Sequence, residues 1–285
     1  MTLDEVPDRV AGLSDVISSL WDHGTEPVTT FGQTSIAEDA AFEGRDLSDV
    51  AIVGTSYGQI DLEQLAAADP DVIVIVTSVY PTDFAGTLDP AGAAYGFQSV
   101  EQQEQVEQIA PIVTLAWSGS AGDVIDRTVQ LAESLGAPTA DIDALRDDDD
   151  RAAAALTEAA SSGVTVLPIA AYPAEGVYMA KAPDDPSLRL YADLGVQFVD
   201  PGGSDHFWET VGWESVTDHP SDVVLYSLRG AMTPEEMAGQ PTYRLLPAVA
   251  AEQVYPWEYI GMDLPAQTAY MERLAGWLSA STRVS

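Results

Sequence analysis

The 285-residue sequence contains no cysteine, which excludes disulfides, thiolate metal sites and any mechanism that runs through a covalent thiol. Positive charge is nearly as scarce: 11 Lys and Arg stand against 46 Asp and Glu, a formal net charge of −35. Nucleic acid repels such a surface and no basic stripe offsets it, so nucleic acid is not a partner; anionic membrane surfaces are disfavoured for the same reason. Lys181 is the single lysine, which makes any cation lining a pocket a scarce resource. Histidine is limited to His23, His206 and His219, with no H-x-x-x-H pair, so no side-chain metal site is visible. A phosphate-binding G-x-x-x-x-G-K-[ST] loop is also missing. No apolar run approaches the roughly 18–20 residues of a membrane helix, and the first twenty residues carry no secretion signal. The chain is therefore expected in the cytoplasm if Met1 is native. If a leader has been removed, it is expected outside the cytoplasm as a membrane-anchored lipoprotein.

What is present is a hydrophobic fraction of 46%, ample for a sizeable core, distributed as short β-branched runs alternating with helical stretches. Val28–Phe31, Val50–Val53, Val72–Val76 and Ile112–Ala116 read as strands, with helices around Asp15–Asp22, Asp61–Ala68 and Ser99–Ile109. From Ala121 to Ser162 no strand signal occurs, only helical sequence. The alternation resumes with strands at Val164–Ala170, Val177–Ala180, Val196–Val199 and Val223–Tyr226, and helices at Pro186–Leu194, Glu214–His219, Pro234–Ala238 and Pro265–Ser279. Continuous apolar strands separated by helices imply parallel sheets covered on both faces. The fold class is α/β. Two lobes with parallel sheets are expected, residues 1–138 and 164–285, joined by a long helical connection at 139–163.

The two lobes share an echo. Leu62-Glu63-Gln64 and Trp213-Glu214-Ser215 each place a glutamate at a helix start, the same number of residues before a strand, with a Pro and an Asp at the helix-to-strand turn. Helix N-termini favour acidic residues in any case, so the pairing across lobes is what makes it notable.

One motif points to an enzyme. Gly54-Thr55-Ser56-Tyr57-Gly58 matches the G-x-S-x-G nucleophile elbow and follows a strand. However, Asp61 with Gln64 reads as a capping pair, which starts the helix five residues after Ser56 where an elbow needs a tight turn. The loop is better suited to presenting Tyr57.

Aromatic residues recur just past strand ends, where open α/β sheets bind ligands. Tyr57, Tyr80 and Trp117 do so in the first lobe. In the second, Tyr172 and Tyr226 with Arg229 end strands, Trp208 follows the Pro201-Gly-Gly turn, and Trp257 with Tyr259 follows Val254. Flat apolar rings and a few donors suit a bulky ligand. Arg229 and Lys181 are the cations expected nearest such a site.

Six stretches resemble a known family: Val6–Val10, Leu62–Val76, Gln102–Thr114 ("QQEQVEQIAPIVT"), Leu190–Pro201 ("LYADLGVQFVDP"), Trp213–Ser227 and Leu246–Met262. The sequence is similar to periplasmic binding proteins of ABC importers for ferric siderophores, haem and cobalamin, in the actinobacterial lipoprotein form. The resemblance implies a class III binding-protein fold without catalysis or cofactor, a ferric siderophore held between the lobes, and an importer permease as partner to a monomer. It also implies that Glu63 and Glu214 meet arginines of the transporter. The family's signal peptide and acylated cysteine have no counterpart here. With so few cations, a neutral or weakly charged hydroxamate chelate is the expected ligand; haem or cobalamin differs only in ligand. The rival reading is a cytoplasmic enzyme on the same scaffold acting on a small biosynthetic molecule, with His206 and Asp205 as acid and base.

Overall fold

The computed structural model describes residues 5–32, 35–37, 39–76, 92–117, 119–229 and 232–285. The described residues divide into two compact units: those up to 146 together with 260–267 in one, and 147–259 with 268–285 in the other.

The first unit is built on β1 (Val10–Leu13), β2 (Thr29–Phe31), β3 (Ala51–Gly54), β4 (Val72–Val76) and β5 (Ile112–Leu115). They form one sheet in the order β3-β2-β1-β4-β5, every pairing parallel. Between them run α1 (Ser14–Asp22), α2 (Leu62–Ala67) and α3 (Val100–Glu107), followed by α4 (Ala121–Ser134). All five residues of β4 are buried, as expected of a strand flanked and covered on every side. Val16, Ile17 and Leu20 of α1 are buried with Leu13, Phe31, Ile73 and Ile75 in a single core. β1 is a strand that the hydrophobic pattern does not announce. Its Val-Ala-Gly-Leu run is short and weakly β-forming, and only its position at the sheet centre makes it a strand.

Helix α5 (Thr139–Ala160) contains the division between the units. The second unit then comprises β6 (Thr165–Tyr172), β7 (Gly176–Ala180), α6 (Pro186–Asp193), β8 (Gln197–Phe198), β9 (Trp208–Val211), β10 (Val223–Ser227), α7 (Pro234–Met237), α8 (Pro247–Ala250), β11 (Val254–Trp257) and all but the first turn of α9 (Leu264–Ala280). Its sheet has the order β11-β10-β6-β7-β9, with β8 on β6.

This second sheet is mixed rather than purely parallel. β10, β11 and β8 run with their neighbours, while β7 is antiparallel to both β6 and β9. The cause is the three-residue turn 173–175, which returns the chain directly beside β6 so that Tyr172 pairs with Gly176. Gly176 has φ +99, and a Cβ there would lie 2.3 Å from the Val211 carbonyl oxygen; only glycine fits. Because β7 covers the carboxyl half of β6, two-residue β8 pairs only with Thr165 and Val166. One face of the sheet packs Ile169, Met179 and Val224 against Met237, Tyr243 and Leu246. On the other, Tyr191 of α6 stacks on Tyr270 of α9 at 5.5 Å, and Tyr255 stacks on Trp277 at 5.1 Å.

The helix expected at Glu214–His219 is a 3-10 helix over Trp213–Asp218. At the carboxyl terminus, Val284 and Ser285 donate their backbone N–H groups to buried Asp222.

Candidate ligand site

Alternation along paired strands decides which side chains share a face. Ile169 of β6 pairs with Met179, and Tyr226 of β10 pairs with Ile169. All three therefore point to the methionine-rich core, and Tyr226 stands apart from the other expected ligand contacts. One residue further along each strand the direction reverses. Ala170 pairs with Tyr178, Tyr178 with Thr210, and Ser227 with Trp257. Ala170, Tyr172, Tyr178, Trp208, Ser227 and Trp257 thus share the opposite face.

On that face the rings touch in sequence. Tyr172 meets Tyr178 at 5.2 Å, Tyr178 meets Trp208 at 6.1 Å, and Trp208 meets Trp257 at 5.8 Å. Trp257 then stacks on Tyr259 at 5.2 Å, and the Arg229 guanidinium lies 4.6 Å from the centre of the Tyr259 ring. The result is a continuous aromatic strip ending in a cation. Trp257 is 2% exposed and forms its floor, while Tyr172, Tyr178, Trp208, Arg229 and Tyr259 are half-buried.

Local backbone geometry sets the strip. Phe207 has φ 69, a conformation rare for an aromatic residue. It is held there by its N–H, which donates to Asp184 Oδ2, by its carbonyl, which accepts from Lys181 N, and by burial of its ring against Trp208 at 4.9 Å. This bend delivers Trp208 as the first residue of β9. Trp208 and Trp257 are therefore carried on strands, not on loops past strand ends. Arg229 is fixed through its N–H, which donates to Ser227 Oγ at 3.1 Å.

At the far end, Glu175 in the 173–175 turn accepts a hydrogen bond from the Tyr178 hydroxyl at 2.6 Å. That bond is the main cause holding the Tyr178 phenol above its ordinary pKa. Burial, and then the Glu175 charge, do the same for Tyr172. Both phenols are neutral donors at physiological pH.

Lys181 does not join this group. Because β7 runs antiparallel, its last residue leads away from the carboxyl end of β6. The ammonium donates to the Asp205 carbonyl and faces Glu209 at 3.8 Å. His206 Nδ1 lies 3.4 Å from Asp184 beside it.

In the first unit, Tyr57 and Trp117 follow β3 and β5, the two outer strands of the parallel sheet. Tyr57 is 46% exposed and lies 5.5 Å from Tyr95, while Trp117 is half-buried against the core. Tyr80 lies outside the described residues. Asp61 accepts from Gln64 N at 3.0 Å and caps α2, so Ser56 sits in an extended turn well before the helix, unlike an elbow nucleophile. Glu63 and Glu214 are both exposed in the first turns of their helices. Among the described residues, no group of three His, Asp or Glu is placed to hold a metal ion, and no helix is long and apolar enough to cross a membrane.

Sequence reasoning missed Tyr178 and Glu175. The signal for Tyr178 was its place between Val177 and Met179, which period-2 alternation turns to the other face.

The model of the family described as periplasmic binding protein matches residues 24–259. The chain belongs to that family. Among solved structures, it is similar to DesE, a ferric-siderophore receptor protein of Streptomyces coelicolor, at 26% identity and a TM-score of 0.87. That alignment covers 100% of this chain and 96% of the other. The siderophore periplasmic binding protein of the Thermobifida fusca fuscachelin gene cluster matches at 20% identity and TM-score 0.70, covering 98% and 99%. FhuD2 of Staphylococcus aureus with bound ferrioxamine B matches at 14% and 0.62, covering 95% and 98%. These last two speak to the fold alone. A comparison with curated proteins gives no match. As a periplasmic binding protein the chain has a function outside the cytoplasm.

Proposed function

We propose that this periplasmic binding protein captures a ferric siderophore on the aromatic strip of its second unit and delivers it to an ABC importer. The strip carries the reading. An iron chelate arrives with its metal already coordinated, so the protein supplies flat contact area and a few donors rather than ligands. Trp208 and Tyr259 supply area, backed by buried Trp257, the Tyr172 hydroxyl donates, and Arg229 faces the oxygen-rich shell of the chelate. DesE, described as a ferric-siderophore receptor, supports the ligand class. The hydroxamate type follows from having one arginine at the strip and no lysine there. Tyr57, with Tyr95, and Trp117 are the contacts assigned to the first unit. Glu63 and Glu214 are assigned to docking on the permease, and the working form is a lipid-anchored monomer.

Titration with ferric hydroxamates and ferric catecholates, followed by tryptophan fluorescence, tests this. Saturable quenching by the hydroxamates is expected, reduced in Trp208→Phe. Absence of quenching by every ferric chelate, with the protein folded, overturns the proposal.

A further inference from the structure

The strip is polarised. Arg229 stands at one end, and at the other a cavity of about 280 Å³ is lined by Ala170, Tyr172, Glu175, Tyr178 and Trp208. Its walls are rings set nearly at right angles, Tyr172 to Tyr178 at 73° and Tyr178 to Trp208 at 86°. The three rings border one half-open volume. The floor is small, since Ala170 adds only a methyl group. Glu175, exposed in the 173–175 turn, adds a carboxylate to the lining. Its bond to the Tyr178 hydroxyl uses one acceptor site of several, and among the described residues it forms no salt bridge. The one lysine of the chain is committed elsewhere, to Asp205 and Glu209. Three electron-rich rings and one carboxylate without a salt bridge are the elements of an ammonium cage, in which the ring quadrupoles and the carboxylate attract the same cation. The raised phenol of Tyr172, which burial and then the Glu175 charge produce, agrees with a site whose negative charge no protein cation balances.

We propose that this cavity holds a terminal ammonium group of the chelate, so that the preferred ligand is a cationic ferric hydroxamate bearing a free primary amine on an alkyl arm. The inference rests on the siderophore reading and narrows it. The ferric centre lies over Trp208 and Trp257 toward Arg229, and the arm runs to Tyr172, Tyr178 and Glu175. A neutral arm forgoes the attraction of the rings and the carboxylate, which weakens binding.

The experiment compares ferrioxamine B, which ends in a primary amine, with its N-acetylated derivative, whose ferric centre is the same and whose arm is neutral. Affinities are measured by tryptophan quenching at fixed ionic strength on the unmodified protein, Glu175→Gln and Glu158→Gln. Glu158 is an exposed residue of α5 and reports on the diffuse field of the acidic surface. The amine form is expected to bind about tenfold more tightly, with the gap closing in Glu175→Gln and persisting in Glu158→Gln. Equal affinities in the unmodified protein, a gap that survives Glu175→Gln, or a gap that closes equally in both variants overturns the cage and leaves siderophore capture standing. Binding of neither chelate overturns both.

Discussion

Trp208 and Trp257 come from β9 and β11, the two outer strands of the second sheet, yet their rings meet at 5.8 Å. Three strands lie between them, making four spacings of roughly 4.8 Å each, so two long side chains must lean inward across the sheet. They have room because the residues beneath them are small: Ser227 on β10, which pairs with Trp257, and Ala170 on β6. The aromatic strip is therefore a consequence of two small residues at the centre of a sheet whose edges carry indoles.

Enlarging that floor is expected to destroy the site without destroying the fold. Ala170 is 5% exposed and borders the cavity, so Ala170→Leu pushes into Trp208 and Tyr178. Overpacking of this kind costs about 1–3 kcal/mol of stability, while chelate affinity should fall by about tenfold or more. Urea unfolding and fluorescence titration on the same preparation separate the two effects.

Arg229 is expected to tolerate no replacement. Its planar guanidinium both covers the Tyr259 ring at 4.6 Å and presents several donors in a fixed fork, which an ammonium cannot reproduce. Arg229→Ala and Arg229→Lys should both weaken hydroxamate binding, by about 10- to 100-fold for a charge-assisted contact. Affinity restored fully by lysine would show that charge alone matters there.

Much of the fold was legible in the sequence, and the reasons are local. Buried strands such as Val72–Val76 and Val223–Ser227 announce themselves as β-branched runs, and the Asp61–Gln64 cap announces the start of α2. The site was legible only in part. Tyr172, Trp208, Arg229 and Trp257 come together as expected, but Tyr226 does not, because a one-residue difference in position along a strand sends a side chain to the other face. Lys181 was misplaced because the direction of β7 depends on a three-residue turn, and short turns leave little trace in hydrophobic pattern. Its hydrogen bond and partial burial serve the β7–β9 edge instead.

Glu63 and Glu214 should affect delivery and leave capture untouched. Both are exposed at helix starts, and neither belongs to the aromatic strip. Glu63→Ala with Glu214→Ala is expected to bind the chelate with unchanged affinity while failing to stimulate ATP hydrolysis by the reconstituted importer. Full stimulation by the double variant would remove these residues from the interface.

The segment that begins α9 holds a charge that the first unit does not accommodate. Asp263 is fully buried beside Ser19, and its side chain accepts from Ala266 N at 2.8 Å as the cap of the helix. Burial, reinforced by the neighbouring Asp22 carboxylate, pushes its pKa up to about 7 from the ordinary 3.8. Asp22 is itself raised by burial, although its salt bridge to Arg45 opposes the rise. A carboxyl whose folded pKa lies above its unfolded value takes up protons on folding, so its effect is favourable in acid. That contribution is complete below about pH 4 and is lost as the pH climbs toward 7. Asp263→Asn keeps the cap, since asparagine serves equally well there, and removes the charge. The variant should match the unmodified protein near pH 4 and exceed it at pH 8 by about 1–3 kcal/mol, read from urea denaturation at both values. A variant less stable at pH 8 would mean that the buried carboxylate is compensated where the geometry provides only Ser19, Arg45 and a second acid.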